Sequence, residues 1–291
     1  MHIQEGFFMK DIMLLTGAGQ IGLAMARRMG SGKTIVVADN NADHARRAAH
    51  LLCEAGFDAV AQETDISSRD SILKLLETAQ KLGDITLFIN AAGVSPSQAS
   101  IETILAVDLY GTAVLLEETG KVIAPRGAGV TISSQSGHRL PALGAEADEA
   151  LALTPAEKLL ELDLLRPENI RDSLHAYQLA KRCNVKRVMA EAVKWGEKGA
   201  RINSISPGII VTPLALDEFR GPRGDFYRDM FARCPAGRPG TADEVAHVAE
   251  LLLSEKGAFI TGADILADGG ATASWFYGPL RPENRPLSGK A

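Results

Sequence analysis

The sequence is short of cysteine, of aromatic residues and of long apolar runs. Its 291 residues contain three cysteines, Cys53, Cys183 and Cys234, and neither these nor the six histidines have the paired spacing of metal ligands. We therefore expect no metal site and no disulfide framework, and reduced thiols of this kind are typical of a cytoplasmic protein. No apolar run approaches the roughly 18 residues that a membrane span requires, and residues 1–10 do not resemble a signal peptide.

Charge of one sign is not concentrated in any part of the chain. Thirty-one basic residues are mixed with 36 acidic ones, the net charge is −5, and aromatic residues make up 5% of the sequence. Without a basic stripe or an aromatic ladder, we expect no nucleic-acid partner. The hydrophobic content of 46% is typical of a globular protein.

A glycine-rich turn lies between a predicted strand and a predicted helix near the start of the chain. The apolar run 11–16 predicts a buried strand, the next residues have the spacing G-x-G-x-x-G, and 23–29 predicts a helix. Glycine permits a tight turn and a close approach of the backbone to a pyrophosphate, while the free N–H groups of the first helical turn face the phosphates. The flanking strand and helix are the context that this motif requires. The predicted phosphate-binding residues are Gly17, Gly19, Gln20, Ile21 and Gly22.

An acidic residue ends the second predicted strand, which covers residues 34–38. Asp39 stands where a carboxylate accepts hydrogen bonds from both ribose hydroxyls of an adenosine and repels a 2′-phosphate. The alternative is a cluster of turn glycines followed by an ordinary helix-capping aspartate. We favour the first interpretation, which predicts NAD as the cofactor in preference to NADP.

Strand and helix patterns alternate along the rest of the chain. Short apolar runs near residues 59–61, 85–89, 129–133, 201–205 and 265 alternate with helical spacing over residues 43–55, 70–81, 100–123, 174–198 and 241–253. This alternation predicts a single-domain α/β fold, a Rossmann-like doubly wound parallel sheet of about seven strands with helices on both faces. Ligands of such sheets bind at the carboxyl ends of the strands.

Three residues in this region have the chemistry of an acid/base catalyst. Tyr177 and Lys181 are four positions apart, so they share one face of a helix, and Ser134 follows the fifth strand. A neighbouring ammonium favours the phenolate and lowers the tyrosine pKa from about 10 towards neutrality, as proton transfer between an alcohol and a ketone requires. Ser134 would then hold the substrate oxygen. The alternative is a half-buried tyrosine beside a solvated lysine.

Together, these motifs resemble the short-chain dehydrogenase/reductase family over residues 11–270. The resemblance rests on the glycine turn, on the tetrapeptide Asn90-Ala91-Ala92-Gly93, on Ser134 with the Tyr177-x-x-x-Lys181 pair, and on the run Ser206-Pro207-Gly208-Ile209-Ile210-Val211-Thr212-Pro213. It implies hydride transfer between the nicotinamide and a substrate carbon, with Tyr177 passing the proton and Lys181 also binding the nicotinamide ribose. It further implies cofactor contacts at Asp65, Ile66, Asn90, Ala91, Gly93, Pro207, Gly208, Ile210 and Thr212.

Asp108 departs from the family pattern. The family usually has an asparagine here that holds a relay water behind the lysine. A carboxylate can also hold that water, and it would raise the pKa values of Lys181 and Tyr177 and move the pH optimum upward. Alternatively, Asp108 bonds to backbone and kinks its helix. We count it among the candidate catalytic residues and leave both alternatives open.

Three further segments differ from a minimal family member. Ser134 and Tyr177 are separated by a longer interval than usual, and the insertion of about 138–173, with a helix predicted to begin at Thr154-Pro155, is either a substrate lid or an element of the surface or of subunit packing. The loop 214–239 is predicted to be a mobile substrate flap with apolar contacts from Leu214, Leu216, Phe219, Phe226 and Met230; a plain two-helix excursion is the alternative. In the tail 271–291, Trp275, Phe276 and Tyr277 are expected to pack on a neighbouring subunit or near its site.

The sequence therefore predicts an oxidoreductase that transfers hydride between NAD(H) and a secondary alcohol or ketone, with a hydroxysteroid or similar apolar carbonyl compound among the candidates. The alternative is a catalytically silent NAD(H)-binding regulator on the same fold. Family members are commonly dimers or tetramers, so we expect a homo-oligomer joined through the helices at 100–123 and 174–198.

Overall fold

Seven parallel strands form one sheet in a computed structural model that describes residues 10–221 and 224–282. The order across the sheet is β3-β2-β1-β4-β5-β6-β7. The predicted α/β fold with about seven strands is thus confirmed. Residues 1–9, positions 222 and 223 of the predicted flap and the end of the tail lie outside the described residues, as does the side chain of Leu214. The strands are β1 (Lys10–Thr16), β2 (Thr34–Asp39), β3 (Asp58–Glu63), β4 (Gly83–Asn90), β5 (Ala128–Ile132), β6 (Arg201–Pro207) and β7 (Asp264–Ala267).

Helices cover both faces of the sheet. In the described ranges these are α1 (Gln20–Met29), α2 (Ala42–Glu54), α3 (Arg69–Leu82), α4 (Ile101–Ile104), α5 (Thr112–Val122), α6 (Gln135–Arg139), α7 (Ala145–Leu153), α8 (Ala156–Leu159), α9 (Ser173–Gly196), α10 (Pro213–Arg220), α11 (Gly224–Arg233), α12 (Ala242–Leu253) and α13 (Ala271–Tyr277). Among them, no helix is both long enough and apolar enough to span a membrane.

The order in which strands are added to the sheet reverses between β1 and β4: β2 and β3 lie on one side of β1, and β4 to β7 lie on the other. Thr16 at the end of β1 is paired with Asn90 at the end of β4. On one face, α1, α2 and α12 pack against apolar residues such as Met13 and Ile35. On the other face, α3, α5 and α9 pack against residues such as Leu14 and Phe88. The crevice at this reversal is where a doubly wound sheet binds its ligand.

The predicted long helix over residues 100–123 is present but changes its winding in the middle. A π-helical segment, Leu105–Gly111, joins α4 to α5 and contains Asp108. The hydrogen bonds of Asp108 go to other segments: its carboxylate accepts from the Val94 N–H and from the Lys181 ammonium. Asp108 thus bonds to backbone, at Val94, within a helix whose winding is irregular, and it also contacts the lysine, so both alternatives for Asp108 stay open.

The inserted segment packs into the core of the same chain. Leu151 in α7 and Leu159 in α8 are fully buried in the apolar cluster that contains α5 and α9. The helix predicted to begin with Thr154 as its N-cap begins one residue later, after Pro155, because Pro155 itself has the extended conformation of a cap residue. This packing favours a structural role for the insertion over that of a lid.

The flap and the described part of the tail contain helices. Within the flap these are α10 (Pro213–Arg220) and α11 (Gly224–Arg233), and the Phe219 ring packs edge-on against Tyr227 and Phe231 at 5.3 and 5.5 Å. This geometry agrees with the two-helix alternative. In α13, the Trp275 ring lies over the Arg139 guanidinium at 5.3 Å, so this aromatic residue packs within its own chain, whereas Tyr277 is exposed.

Candidate active site

The glycine turn has the geometry that its spacing predicts. Gly17 has a φ of +89°, and a Cβ there would lie 2.5 to 2.7 Å from the backbone of Ala91 and Ala92. A Cβ on Gly22 would lie 2.5 Å from the Gly17 carbonyl oxygen, whereas one on Gly19 would meet nothing within 4 Å. Gly17 and Gly22 thus permit close packing of the backbone around them, whereas the space beside Gly19 is open.

Helix α1 begins directly at this open space. Gly19 is its N-cap, and no side chain caps the first turn, which contains Gln20 and Ile21. The N–H groups of an uncapped first turn bind anions, and the macrodipole favours negative charge there. A dinucleotide pyrophosphate therefore fits this loop.

Asp39 lies beside the same loop. One of its carboxylate oxygens accepts a hydrogen bond from the Ala18 N–H at 3.0 Å, and the other accepts from the Asn41 N–H at 3.0 Å. The structure thus brings Asp39 to the turn that it was predicted to complete. A carboxylate at this point suits the ribose hydroxyls of an adenosine.

The residues predicted along the adenosine half differ in how accessible their side chains are. The buried Asn90 carboxamide accepts from the Thr16 hydroxyl at 2.8 Å and donates to Thr131 at 3.0 Å, so it joins three strand ends and leaves only backbone groups to contact a cofactor. Asp65 is exposed and accepts from the N–H and the hydroxyl of Ser67. Ile66, which follows it, is buried.

A buried ion pair lies at the centre of the site. Lys181 Nζ is 3.2 Å from Asp108 Oδ1, and both side chains are almost completely excluded from solvent. Burial alone would lower the pKa of Lys181, but the charge of Asp108, together with Tyr177, outweighs it and the pKa is raised. Gly93 makes room for this pair, since a Cβ there would lie 2.5 Å from the Asp108 carboxylate.

Tyr177 and the strand end that precedes Ser134 lie beside this lysine. Lys181 Nζ lies 5.2 Å from the centroid of the Tyr177 ring, as the four-residue spacing predicts. The same ammonium donates to the Ile132 carbonyl at 3.4 Å, two residues before Ser134. Ser134 caps α6, and its hydroxyl oxygen accepts from the Ser136 N–H at 3.1 Å, so the hydroxyl proton can be donated elsewhere.

The residues predicted at the nicotinamide lie on the segment after β6. Pro207 pairs with the end of β7, and a Cβ on Gly208 would lie 2.7 Å from Asp268, so no larger residue fits at position 208. Ile210 forms a bridge with Gly240. The Thr212 hydroxyl accepts from the Ala215 N–H at 3.2 Å, which leaves its proton available to a carboxamide oxygen.

Two further features of this region were not recognised in the sequence. Ser133 donates to the Lys181 carbonyl at 2.8 Å and so fixes α9 to the end of β5. Asp264 in β7 accepts from Ser204, Ser206 and His138 at 2.6 to 3.0 Å, and it holds α6 against the sheet. Adjacency to Ser134 was the only available clue to Ser133, and nothing in the sequence links His138 to Asp264.

Comparison with known proteins agrees with this geometry. A family model described as short chain dehydrogenase matches residues 11–145, and one described as enoyl-(acyl carrier protein) reductase matches residues 141–272. A short-chain dehydrogenase/reductase of Alternaria brassicicola, bsc3, is 40% identical over 91% of this chain and 96% of its own. The chain belongs to the short-chain dehydrogenase/reductase family.

More distant members of the family are similar over nearly the same length. D-threitol dehydrogenase of Mycolicibacterium smegmatis is 29% identical over 90% of this chain and 92% of its own. A solved 7α-hydroxysteroid dehydrogenase, in complex with NADH and 7-oxo glycochenodeoxycholic acid, superposes with a TM-score of 0.71 over 89% of this chain and 93% of its own, at 22% identity. The second likeness is one of fold. The comparisons thus support an oxidoreductase of this family, and the candidate site is the one at the strand ends described above.

Proposed function

We propose that this short-chain dehydrogenase/reductase transfers hydride between NAD(H) and a secondary alcohol or ketone of small or medium size. The observation that carries the proposal is the stacking of the Lys181 ammonium on Tyr177, beside the strand end that bears Ser134. A phenol next to an ammonium is a suitable acid/base group for an alcohol–ketone pair. The bound nicotinamide would supply the hydride chemistry.

The residues have separate tasks in this proposal. Tyr177 gives the proton to the carbonyl oxygen in reduction and takes it from the hydroxyl in oxidation. Ser134 donates its hydroxyl proton to the same oxygen and orients the substrate. The positive charge of Lys181 favours the Tyr177 phenolate, and Asp108 holds the Lys181 ammonium in place through their ion pair.

The choice of NAD over NADP rests on Asp39. Its carboxylate lies at the loop where the adenosine ribose would bind, and the described residues that contact it are the Ala18 and Asn41 amides and, at 3.9 Å, His44. A 2′-phosphate there would face a negative charge. We therefore expect NADH to bind much more tightly than NADPH.

The substrate class is a secondary alcohol or ketone. The names of the relatives cover both a polyol and a steroid, so they support this class and leave its size open. The larger members of the class with an extended apolar body, hydroxysteroids among them, suit the aromatic side chains of α11 and α13. We further propose that the protein is cytoplasmic, since its three cysteines are all unpaired.

A first experiment combines cofactor binding with turnover. The NADH and NADPH affinities of the wild type and of Tyr177→Phe are measured, followed by NAD-linked oxidation of a panel of secondary alcohols and hydroxysteroids. We expect NADH binding in both proteins and turnover only in the wild type. Tighter binding of NADPH would contradict the role of Asp39.

The second candidate function is a silent NAD(H)-binding regulator. One observation favours it: the Asp108 carboxylate takes a position at Lys181 where the family has a neutral asparagine. NADH binding without turnover across the whole panel would support this alternative.

A further inference from the structure

A cavity lies between α6, α11 and α13, next to the candidate site. Its volume is about 280 Å³. Its wall combines apolar surface with three arginines and a single carboxylate, a composition that suits an anionic molecule with an apolar body. Among the residues that line it are Arg139, Asp229, Met230, Arg233 and Trp275.

Arg139 stacks on the Trp275 ring, and the described residues that accept its hydrogen bonds include no carboxylate. Its Nη2 donates to Gln135 Oε1 at 2.7 Å, and its Nη1 contacts the Met230 sulfur at 3.9 Å; both acceptors are neutral. Its Nε is buried and has no hydrogen-bond partner among the described residues. By contrast, Arg233 in the same wall pairs with Asp229 and donates to the Pro279 carbonyl.

The charged form of the Arg139 guanidinium is disfavoured by its partly buried environment as long as no anion is bound to it. Burial lowers the pKa of its guanidinium, and Asp268 opposes this only in part. The Asp268 carboxylate is itself occupied, since it accepts from the N–H groups of Gly270 and Thr272. A partly buried guanidinium that meets neutral acceptors recovers its desolvation cost when a carboxylate or another oxyanion binds to it.

The cavity is close to the reacting groups. Ser134 caps α6 and Arg139 ends it, so the two backbones are about 7.5 Å apart for a rise of 1.5 Å per residue. The guanidinium is folded back onto Gln135, the neighbour of Ser134. Gln135 lines an adjoining cavity with Gly208, and Met230 contributes to both cavities. A molecule that extends along the length of α6 is therefore needed to reach from Ser134 to Arg139.

We propose that Arg139 binds an anionic group of the substrate, so that the preferred substrates are hydroxy or keto acids with an apolar body between the two ends. The carboxylate pairs with the guanidinium, and the apolar body packs on Trp275 and Met230. This inference rests on the proposed dehydrogenase function, because it assigns the far end of that substrate.

The test compares an acid with its neutral ester on the full-length protein. With NADH present, reduction of 4-oxocyclohexanecarboxylate and of its methyl ester is measured for the wild type, Arg139→Met and Arg139→Lys. Arg233→Met is the matched control, because Arg233 lines the same cavity but is already paired with Asp229. Binding of cyclohexanecarboxylate, which cannot be reduced, is followed in parallel by calorimetry and by fluorescence of Trp275.

We expect the wild type to prefer the acid over the ester by about tenfold or more in kcat/KM, the size of effect given by one charge-assisted hydrogen bond. Arg139→Met should remove this preference and the binding of cyclohexanecarboxylate, with ester turnover retained. Arg139→Lys should restore part of the preference, and Arg233→Met should keep it.

Equal turnover of acid and ester by the wild type would overturn the inference and leave the dehydrogenase proposal intact. A preference that survives in Arg139→Met, or that is lost in Arg233→Met instead, would also overturn it. If neither probe is reduced, the dehydrogenase proposal fails for this class, and the binding of cyclohexanecarboxylate decides the role of Arg139: binding that depends on Arg139 supports an anion site, and no binding rejects it.

Discussion

Asp108 and Lys181 form a direct ion pair, with 3.2 Å between Oδ1 and Nζ, inside a site that the solvent hardly reaches. Removing one partner of such a pair leaves an uncompensated buried charge, which costs about 3–5 kcal/mol. In the proposed function the pair also links turnover to pH, because the lysine lies over the Tyr177 ring.

Asp108→Asn should shift the pH profile of alcohol oxidation to lower pH. The substitution removes a negative charge that disfavours the Tyr177 phenolate, so the active form appears at lower pH. The measurement is kcat/KM for NAD-linked oxidation as a function of pH. Asp148→Asn is the control, since Asp148 pairs with Arg182 on another side of α9, and its profile should not move. An unchanged profile in Asp108→Asn would contradict electrostatic coupling.

The same substitution should make the protein unfold at lower pH on the alkaline side. Asp108 raises the folded-state pKa of Lys181 above its ordinary value of about 10.4. Stabilisation from this lysine is therefore complete below the ordinary value and is lost as the pH rises through the raised one. Asp108→Asn removes the cause, so its melting temperature should fall earlier along an alkaline pH series than that of the wild type. Coincident curves would refute this assignment.

Gly17→Ala should lower the stability of the protein, whereas Gly19→Ala should weaken cofactor binding and leave the stability unchanged. At Gly17, the left-handed conformation alone costs alanine about 1–2 kcal/mol, and the Ala91 backbone adds a steric clash. At Gly19, a Cβ meets no protein atom, so the melting temperature should stay unchanged while NADH binds about tenfold or more weakly. Calorimetry of NADH binding and thermal melting separate the two effects. Unimpaired NADH binding by Gly19→Ala would show that the phosphates lie elsewhere.

Arg187→Met should loosen the inserted segment. Arg187 is buried on α9, pairs with Glu117 of α5 and donates to the carbonyls of Leu151 and Thr154 in the insertion. Its loss leaves these groups without their donor, and we expect a destabilisation of about 3 kcal/mol. Denaturant unfolding gives the value, and limited proteolysis shows whether cleavage falls within residues 141–172. Arg46→Met, at an exposed pair with Asp43, is the control and should melt like the wild type.

Val193→Glu tests the predicted contact between subunits. The insertion packs against α9, one of the helices expected to join subunits, through α7. The open part of α9 carries Met189 and Val193, the latter 72% exposed. If the homo-oligomer uses this helix, a charge at Val193 should reduce the mass measured by light scattering to that of one chain. Leu153→Glu, 61% exposed on the insertion, is the matched control. An oligomer that persists in Val193→Glu would exclude this strip.

The regular elements of the fold follow from local sequence. Apolar runs ended by Asp39 or Asn90 became strands, and helices such as α3 stop at a glycine, Gly83, as local signals predict. The pairing of Tyr177 with Lys181 was also predictable, because a spacing of four residues brings side chains together on any helix.

Other features depend on partners far along the chain. The π-helical segment accompanies contacts of Asp108 with Lys181, 73 positions away, and no local propensity encodes them. The carboxamide of Asn90 is taken up by Thr16 and Thr131, so its burial could not be foreseen from its tetrapeptide. Arg139 could not be recognised as a candidate site residue from the sequence, because the cavity that it lines is formed only by the packing of α11 and α13 beside it.

The inserted segment also determines which parts of the protein can move. Asp148 of α7 holds both Arg182 and Lys186 of α9, in the turns that follow Lys181, while Ser133 holds the Lys181 carbonyl from the sheet. Helix α9, which bears Tyr177 and Lys181, is thus restrained on two sides, and we expect movement at the candidate site to arise instead in α11 and α13, beside Arg139. Substrate entry and product release should accordingly be paced by those two helices, with α9 as the stationary side of the cleft.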